Sequence, residues 1–233
     1  AGSTLAADDD NAGCAGSAGR DAWYRFTVPA ATQWIVYLDT VDGQTWDSVI
    51  HVRTGTCGGA QAACADNQCG GSRSQWAGVL GAGTYYVVID GATATAAGSF
   101  TLRFERSAMC GASATLIPGN GAYAGTTVGA GDDTVPSCRV RAAPDTLYYF
   151  GLCGARTIRA RTCDPGVASF DTVLSMRSGS CSSADVACND NGTGLCGGGR
   201  SDVSASLAQG LHFLLVDARN NGSSGTYTVD VSG

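Results

Sequence analysis

Lysine is absent from this chain, and all 14 basic residues are arginine. Glutamate is nearly absent too: Glu105 is the single one among 20 acids, the rest being aspartate. Helices favour Glu and Lys, whereas turns and oxygen-rich metal loops favour Asp. The composition therefore argues against a helical chain and for strands joined by polar turns. Histidine is limited to His51 and His212, and no Cys-x-x-Cys pair occurs, so zinc-site spacing is missing. No apolar run reaches the roughly 18 residues of a membrane-spanning helix, so no membrane insertion is expected. The 34 glycines keep no three-residue period and proline stands at 5, which excludes a collagen helix. A net charge of −6 argues against nucleic-acid and anionic-membrane partners. No signal peptide is visible, the expectation for a mature chain or an excised fragment. GxSxG, HExxH and P-loop signatures are all lacking.

What is present is a long internal repeat within 233 residues. From Asp21–Cys64 onto Asp145–Cys188 an ungapped alignment runs at an offset of 124; after a three-residue insertion before Cys196 the offset becomes 127. "WDSVIHVRTGTC" meets "FDTVLSMRSGSC", "GAGTYYVVIDG" meets "AQGLHFLLVDA", and "GSFTLRF" meets "GTYTVDV". Self-similarity of this length means two copies of one fold, with units expected at 1–107 and 108–233. In "FTLRF" the residues Phe100, Leu102 and Phe104 alternate with polar ones, as do Tyr227, Val229 and Val231, which is the period of a half-buried strand. The fold expected is all-β: two tandem homologous antiparallel β-sandwich, jelly-roll-like modules, stapled by disulfides.

Eleven cysteines suit an oxidising compartment and a secreted or cell-surface protein. Cys14, Cys57, Cys64 and Cys69 match Cys138, Cys181, Cys188 and Cys196, and the second unit adds Cys153 and Cys163. Spacing suggests Cys57–Cys64 and Cys181–Cys188 across hairpins, Cys14–Cys69 and Cys138–Cys196 to the entry segment, and Cys153–Cys163. Sequence leaves the connectivity open. Cys110 is left over as a free thiol, as an intermolecular bridge, or as a sign that this pairing is wrong.

The phrases "DTLYYF", "RTCD", "FDTVLSMRSGSC", "ACNDN", "CGGG" and the closing "GTYTVDV" resemble the bacterial pre-peptidase C-terminal (PPC-like) domains. That resemblance implies jelly-roll sandwiches that accompany secreted enzymes or build surface proteins without being catalytic. It also implies calcium near the N-terminal linkers, where "ADDD" (7–10) and "GDD" (131–133) lie. The first unit departs from the pattern, with "LDT" where the second has "RTC", and it lacks the opening strand segment.

Several groups are candidates for chemistry. Asp47 and Asp171 begin strands, and Asp66 and Asp190 lie in the stapled loops, with Asp39, Asp42 and Asp164 ahead of them. Such oxygens on neighbouring loops suit Ca²⁺, although Asp and Asn also cap turns. A triad of Asp47, Ser48 and His51 cannot converge, because alternation points near-adjacent strand residues to opposite faces. Trp23, Trp34, Trp46 and Trp76 align with Leu147, Ile158, Phe170 and Val203, which reads as core filling rather than a sugar platform. Arg159 and Arg161, with Arg139 and Arg141, read as a solvated face or an anion patch. Asn191 and Asn221 open glycosylation sequons, which mean little in the bacterial source that the lysine-free, Ala/Gly/Arg-rich bias suggests.

These residues support a non-catalytic adhesive or assembly protein, with self-association or a protein or glycan partner, including a filament subunit with strand exchange. A glycan- or protein-binding accessory module of a secreted enzyme is the alternative. One feature fits either assembly through an open edge or a chain clipped from a longer tandem array, whose edge is merely exposed. "AGSTLAADDD" (1–10) aligns with "AGTTVGAGDD" (124–133), so about seventeen residues, "SAMCGASATLIPGNGAY", have no counterpart in the first unit. Within them "SATLI" reads as a strand, and a unit without it is expected to have an open sheet edge.

Overall fold

A computed structural model describes all residues except 11–12, 15–18, 42–44, 140–141 and 164–166. Asp42, Arg141 and Asp164 therefore lie outside the described residues. The chain divides into two units, Ala1–Arg106 and Ser107–Gly233. Among the described residues no helix is long and apolar enough to cross a membrane.

Unit 1 contains β1 (Gly2–Ser3), β2 (Ala22–Val28), β3 (Trp34–Thr40), β4 (Ser48–Thr54), β5 (Gln61–Asp66), β6 (Gln75–Leu80), β7 (Gly83–Gly91), β8 (Ser99–Phe100) and β9 (Leu102–Ala108). The four-stranded sheet β2-β7-β4-β5 faces the three-stranded sheet β6-β3-β9, and β1 pairs β8. Unit 2 contains β10 (Ala114–Leu116), β11 (Gly121–Thr126), β12 (Thr146–Leu152), β13 (Arg156–Arg161), β14 (Val167–Ala168), β15 (Thr172–Ser178), β16 (Asp185–Asn189), β17 (Asp202–Leu207), β18 (Gly210–Ala218) and β19 (Thr226–Ser232). Its sheets run β10-β12-β18-β15-β16 and β11-β19-β13-β17, with β14 also on β19. The fold is thus all-β, two stapled β-sandwiches in tandem.

Period-two alternation builds each core. Val36, Leu38, Ile50, Val52, Val87 and Ile89 meet between the sheets of unit 1. Ile158, Ala160, Leu174, Met176, Leu214 and Val216 do so in unit 2. Each of these side chains except that of Ala160 contributes roughly 1.5–3 kcal/mol by leaving water. The structure corrects the ungapped alignment here. Trp34 pairs Leu80 and Arg156 pairs Leu207, so Trp34 corresponds to Arg156, and Ile158 to Val36. The offset on β3 is 122. A slip of two residues keeps every side chain on its face, so hydrophobic alternation cannot detect it. Loop length absorbs the slip: residues 29–33 join β2 to β3, whereas 153–155 join β12 to β13.

Both units carry the same buried hydroxyl node. Thr40 Oγ1 and Ser48 Oγ are 2.9 Å apart, Ser74 N donates to Thr40 Oγ1 (3.1 Å), and Ser74 Oγ donates to the Ser48 carbonyl (2.5 Å). In unit 2, Thr162 and Thr172 hydroxyls lie 2.7 Å apart, Ser201 N donates to Thr162 Oγ1 (3.0 Å), and Ser201 Oγ donates to the Thr172 carbonyl (2.5 Å). All six residues are fully buried.

The disulfides include Cys14–Cys64, Cys138–Cys188, Cys163–Cys196 and Cys110–Cys181, with Cα separations of 5.9, 5.7, 4.9 and 5.9 Å, and Cys69 and Cys153 are disulfide-bonded as well. They replace the pairings Cys14–Cys69, Cys57–Cys64, Cys138–Cys196, Cys153–Cys163 and Cys181–Cys188 that spacing suggested. The reason is the pleat. Ala63 and Ala187 pack on the cores, so Cys64 and Cys188 point to the opposite faces, and there they meet the entry-segment cysteines. Cys57 sits in an exposed turn and is free, while Cys110 is bonded, the reverse of the roles spacing gave them.

Removing the Ser201 hydroxyl orphans buried acceptors. Ser201→Ala is expected to lower stability by about 1–3 kcal/mol, read as a lower urea midpoint at unchanged slope; a wild-type midpoint would mean that the node is dispensable.

Candidate functional site

The candidate calcium residues occupy equivalent rims in the two units, but their surroundings differ. Ala92 N donates to the Asp47 carbonyl (3.0 Å), as Arg219 N does to that of Asp171 (2.9 Å). In unit 2 the Arg219 side chain then turns back. Its guanidinium lies 3.5 Å from Asp171 Oδ2 and 3.5 Å from Asp190 Oδ2, and Arg139 stands 3.9 Å from the latter. Burial raises the Asp171 pKa and the nearby guanidinium opposes that rise. A cation already holds this pair. In unit 1 Ala92 cannot reach back. Burial first, and then the Asp66 charge, raise the Asp47 pKa. In both units one oxygen of each rim acid, Oδ1 of Asp47, Asp66, Asp171 and Asp190, is buried without a hydrogen bond among the described residues. Two carboxylates suit a hard cation, but they are short of the six to eight oxygens that calcium takes.

Several other charges are paired within their own unit. Asp39 accepts from Arg73 Nε (3.0 Å), Arg73 Nη2 (2.7 Å) and Tyr37 Oη (2.7 Å). Arg159 forks onto Asp202, and Arg161 Nε lies 3.1 Å from Asp230. His51 Nε2 lies 3.4 Å from Asp90 Oδ2 with both side chains fully buried. His212 is held by Ser178 Oγ (2.9 Å) and the Ala208 carbonyl (2.8 Å). Neither imidazole stands at an open surface. The group Cys163, Cys196 and Asp202 has metal-like proximity, but its two sulfurs form a disulfide. In unit 2 a buried acid stands near others. Burial lifts Asp217 to about 8, with Asp145 and Asp132 adding to the rise, and it lifts Asp145 to about 6 although the Thr134 and Asp133 amides oppose it.

The largest difference between the units is an uncovered flank. In unit 2 the segment before β12 supplies two strands. β10 pairs β12 in parallel, and β11 pairs β19 antiparallel from Gly121↔Val231 to Thr126↔Thr226. Between them Ile117 enters the core, and its N–H donates to the Tyr149 carbonyl (2.9 Å). Among the described residues of unit 1, β2 and β9 are edges of their sheets, and β1 covers only Ser99–Phe100. The side chains register the loss. Tyr148 and Val231 are each 4% exposed, whereas their counterparts Tyr24 and Phe104 are 37% and 38% exposed. An aromatic group lies at this flank: Phe26 packs against Phe104 (centroids 5.0 Å), Tyr85 (5.4 Å) and Trp34 (6.5 Å), and Arg106 lies 3.9 Å over the Trp34 ring.

No family model matches the chain, and no curated protein matches it. Among solved structures, the pre-peptidase C-terminal domain of a collagenase from Bacillus anthracis is 15% identical over 52% of this chain and 95% of its own, with a TM-score of 0.36. A lectin of Pleurotus ostreatus, in its apo form, is 12% identical over 91% of this chain and 71% of its own, with a TM-score of 0.25. A conserved protein of unknown function from Pseudomonas aeruginosa is 11% identical over 91% and 77%, with a TM-score of 0.22. At these scores neither a family nor a ligand follows.

Asp217 and Asp145 bind their protons more tightly folded than unfolded, against an ordinary value of 3.8. The stability this confers is complete below that value and is lost as the pH rises through about 6 for Asp145 and about 8 for Asp217. Urea melts between pH 4 and 9 are expected to show unit 2 weakening with alkali. Asp217→Asn should lessen that slope and be the more stable protein at pH 8; parallel profiles would refute the assignment.

Proposed function

We propose that this chain is a non-catalytic extracellular β-sandwich protein of adhesion or assembly, and that unit 1 works by accepting an extended strand that residues 1–106 do not supply. The observation that carries the proposal is the pair of open edges, β2 and β9, at the place where unit 2 holds β10, Ile117 and β11. Unpaired N–H and C=O groups along such edges are a template for a further strand, and apolar side chains beside them supply the pocket that gives specificity. Disulfides in both units fit an oxidising, extracellular setting.

The probe is a synthetic peptide of residues 112–123, the segment that covers this flank in unit 2. It is expected to bind the full chain at about one peptide per molecule by calorimetry. Binding should raise the melting temperature by mass action, and a peptide with Ile117→Asp should fail to bind. No heat and no melting shift at millimolar peptide would overturn the proposal.

A further inference from the structure

Cys57 is free and exposed in the turn between β4 and β5. Its counterpart in unit 2 is Cys181, which is buried and bonded to Cys110. The two turns are built alike. Gly55 and Gly179 adopt φ of 76° and 75°, and each donates its N–H at 2.8 Å to the equivalent residue of the neighbouring strand, Thr84 and Leu211. In unit 2 the covering segment begins at this turn: Ser107 Oγ accepts from Cys181 N (3.1 Å), and Cys110 follows. Seven residues later Ile117 of that segment enters the core. Unit 1 thus keeps the receiving cysteine, while the segment that carries the donating one has no counterpart in residues 1–106.

We propose that Cys57 forms a disulfide with a cysteine that an incoming strand, from outside residues 1–106, brings to the place Cys110 holds in unit 2, making strand docking covalent. This rests on the strand-accepting reading above. The occupant has defined chemistry: an extended segment with a cysteine seven residues before an aliphatic residue, then a Pro-Gly turn and a second strand. The bond forms by thiol–disulfide exchange. The incoming cysteine arrives as a mixed disulfide with a small thiol, and Cys57 releases its proton to solvent and attacks as the thiolate. A Cys57–cysteine bond forms, the mixed disulfide breaks, and the small thiol leaves with the electron pair, so no net oxidant is consumed. Docking places the two sulfurs together and raises their effective concentration to the millimolar range or above.

The test uses the full chain and a peptide of residues 108–123 whose cysteine carries 2-nitro-5-thiobenzoate as the mixed disulfide. The expected result is release of about one equivalent of the coloured thiolate, at least about tenfold faster than from a scrambled peptide similarly activated. Mass mapping should place the adduct on Cys57. Cys57→Ser should abolish the adduct yet still bind the same peptide with alanine at 110. Equal rates for native and scrambled peptides, with that alanine peptide still binding, would overturn the covalent step alone. Failure of the alanine peptide to bind at all would overturn strand acceptance and the covalent step with it.

Discussion

The buried hydroxyl node is the constraint on which each sandwich turns. Three strand ends meet there with backbone groups that no ladder satisfies, and an unpaired buried polar group costs about 1–3 kcal/mol. Thr40, Ser48 and Ser74, and their twins Thr162, Thr172 and Ser201, discharge that cost with short side chains that fit between the sheets. The node fixes where β3 passes to β4, and so where Asp47 and Asp171 stand. In unit 2 it also reaches the acidic loop directly, since Ser201 Oγ lies 3.2 Å from the Asp190 carbonyl.

Much of this was legible in the residues. Tandem copies followed from the repeated phrases, strand character from alternation at Phe100–Phe104 and Tyr227–Val231, and a strand at "SATLI" from its apolar, β-branched run, which the structure shows as Ala114–Leu116. What stayed hidden has physical causes. A two-residue slip of β3 leaves the alternation unchanged, so only cross-strand partners such as Trp34 and Leu80 reveal it. Disulfide partners depend on which face a strand shows its neighbour, which local spacing around Cys57 and Cys64 does not encode. Arg219 gave one faint signal, an arginine opposite Ala92 in the repeat, which gains meaning only once both acidic residues are seen beside it.

The two units differ by subtraction at matching places. Unit 2 neutralises its rim carboxylates with an arginine, covers its flank with two strands, and ties that cover down through Cys110. Unit 1 keeps the carboxylates, the flank and the cysteine without those partners. Its aromatic cluster, Phe26 with Trp34, Tyr85 and Phe104, stands at the positions of Phe150, Arg156, His212 and Val231 in unit 2. Aromatic rings give much apolar area per residue at little entropic cost, which keeps such a flank ordered while leaving its backbone edges open.

The pairing of β11 with β19 has a mechanical consequence. Six consecutive residues are in antiparallel register, from Gly121↔Val231 to Thr126↔Thr226, and the hydrogen bonds of such a ladder lie across the strands. A pull along the axis of β11 therefore loads those bonds in shear, side by side, rather than peeling them one at a time from an end. A strand held in this geometry resists tension along its length better than tension across it.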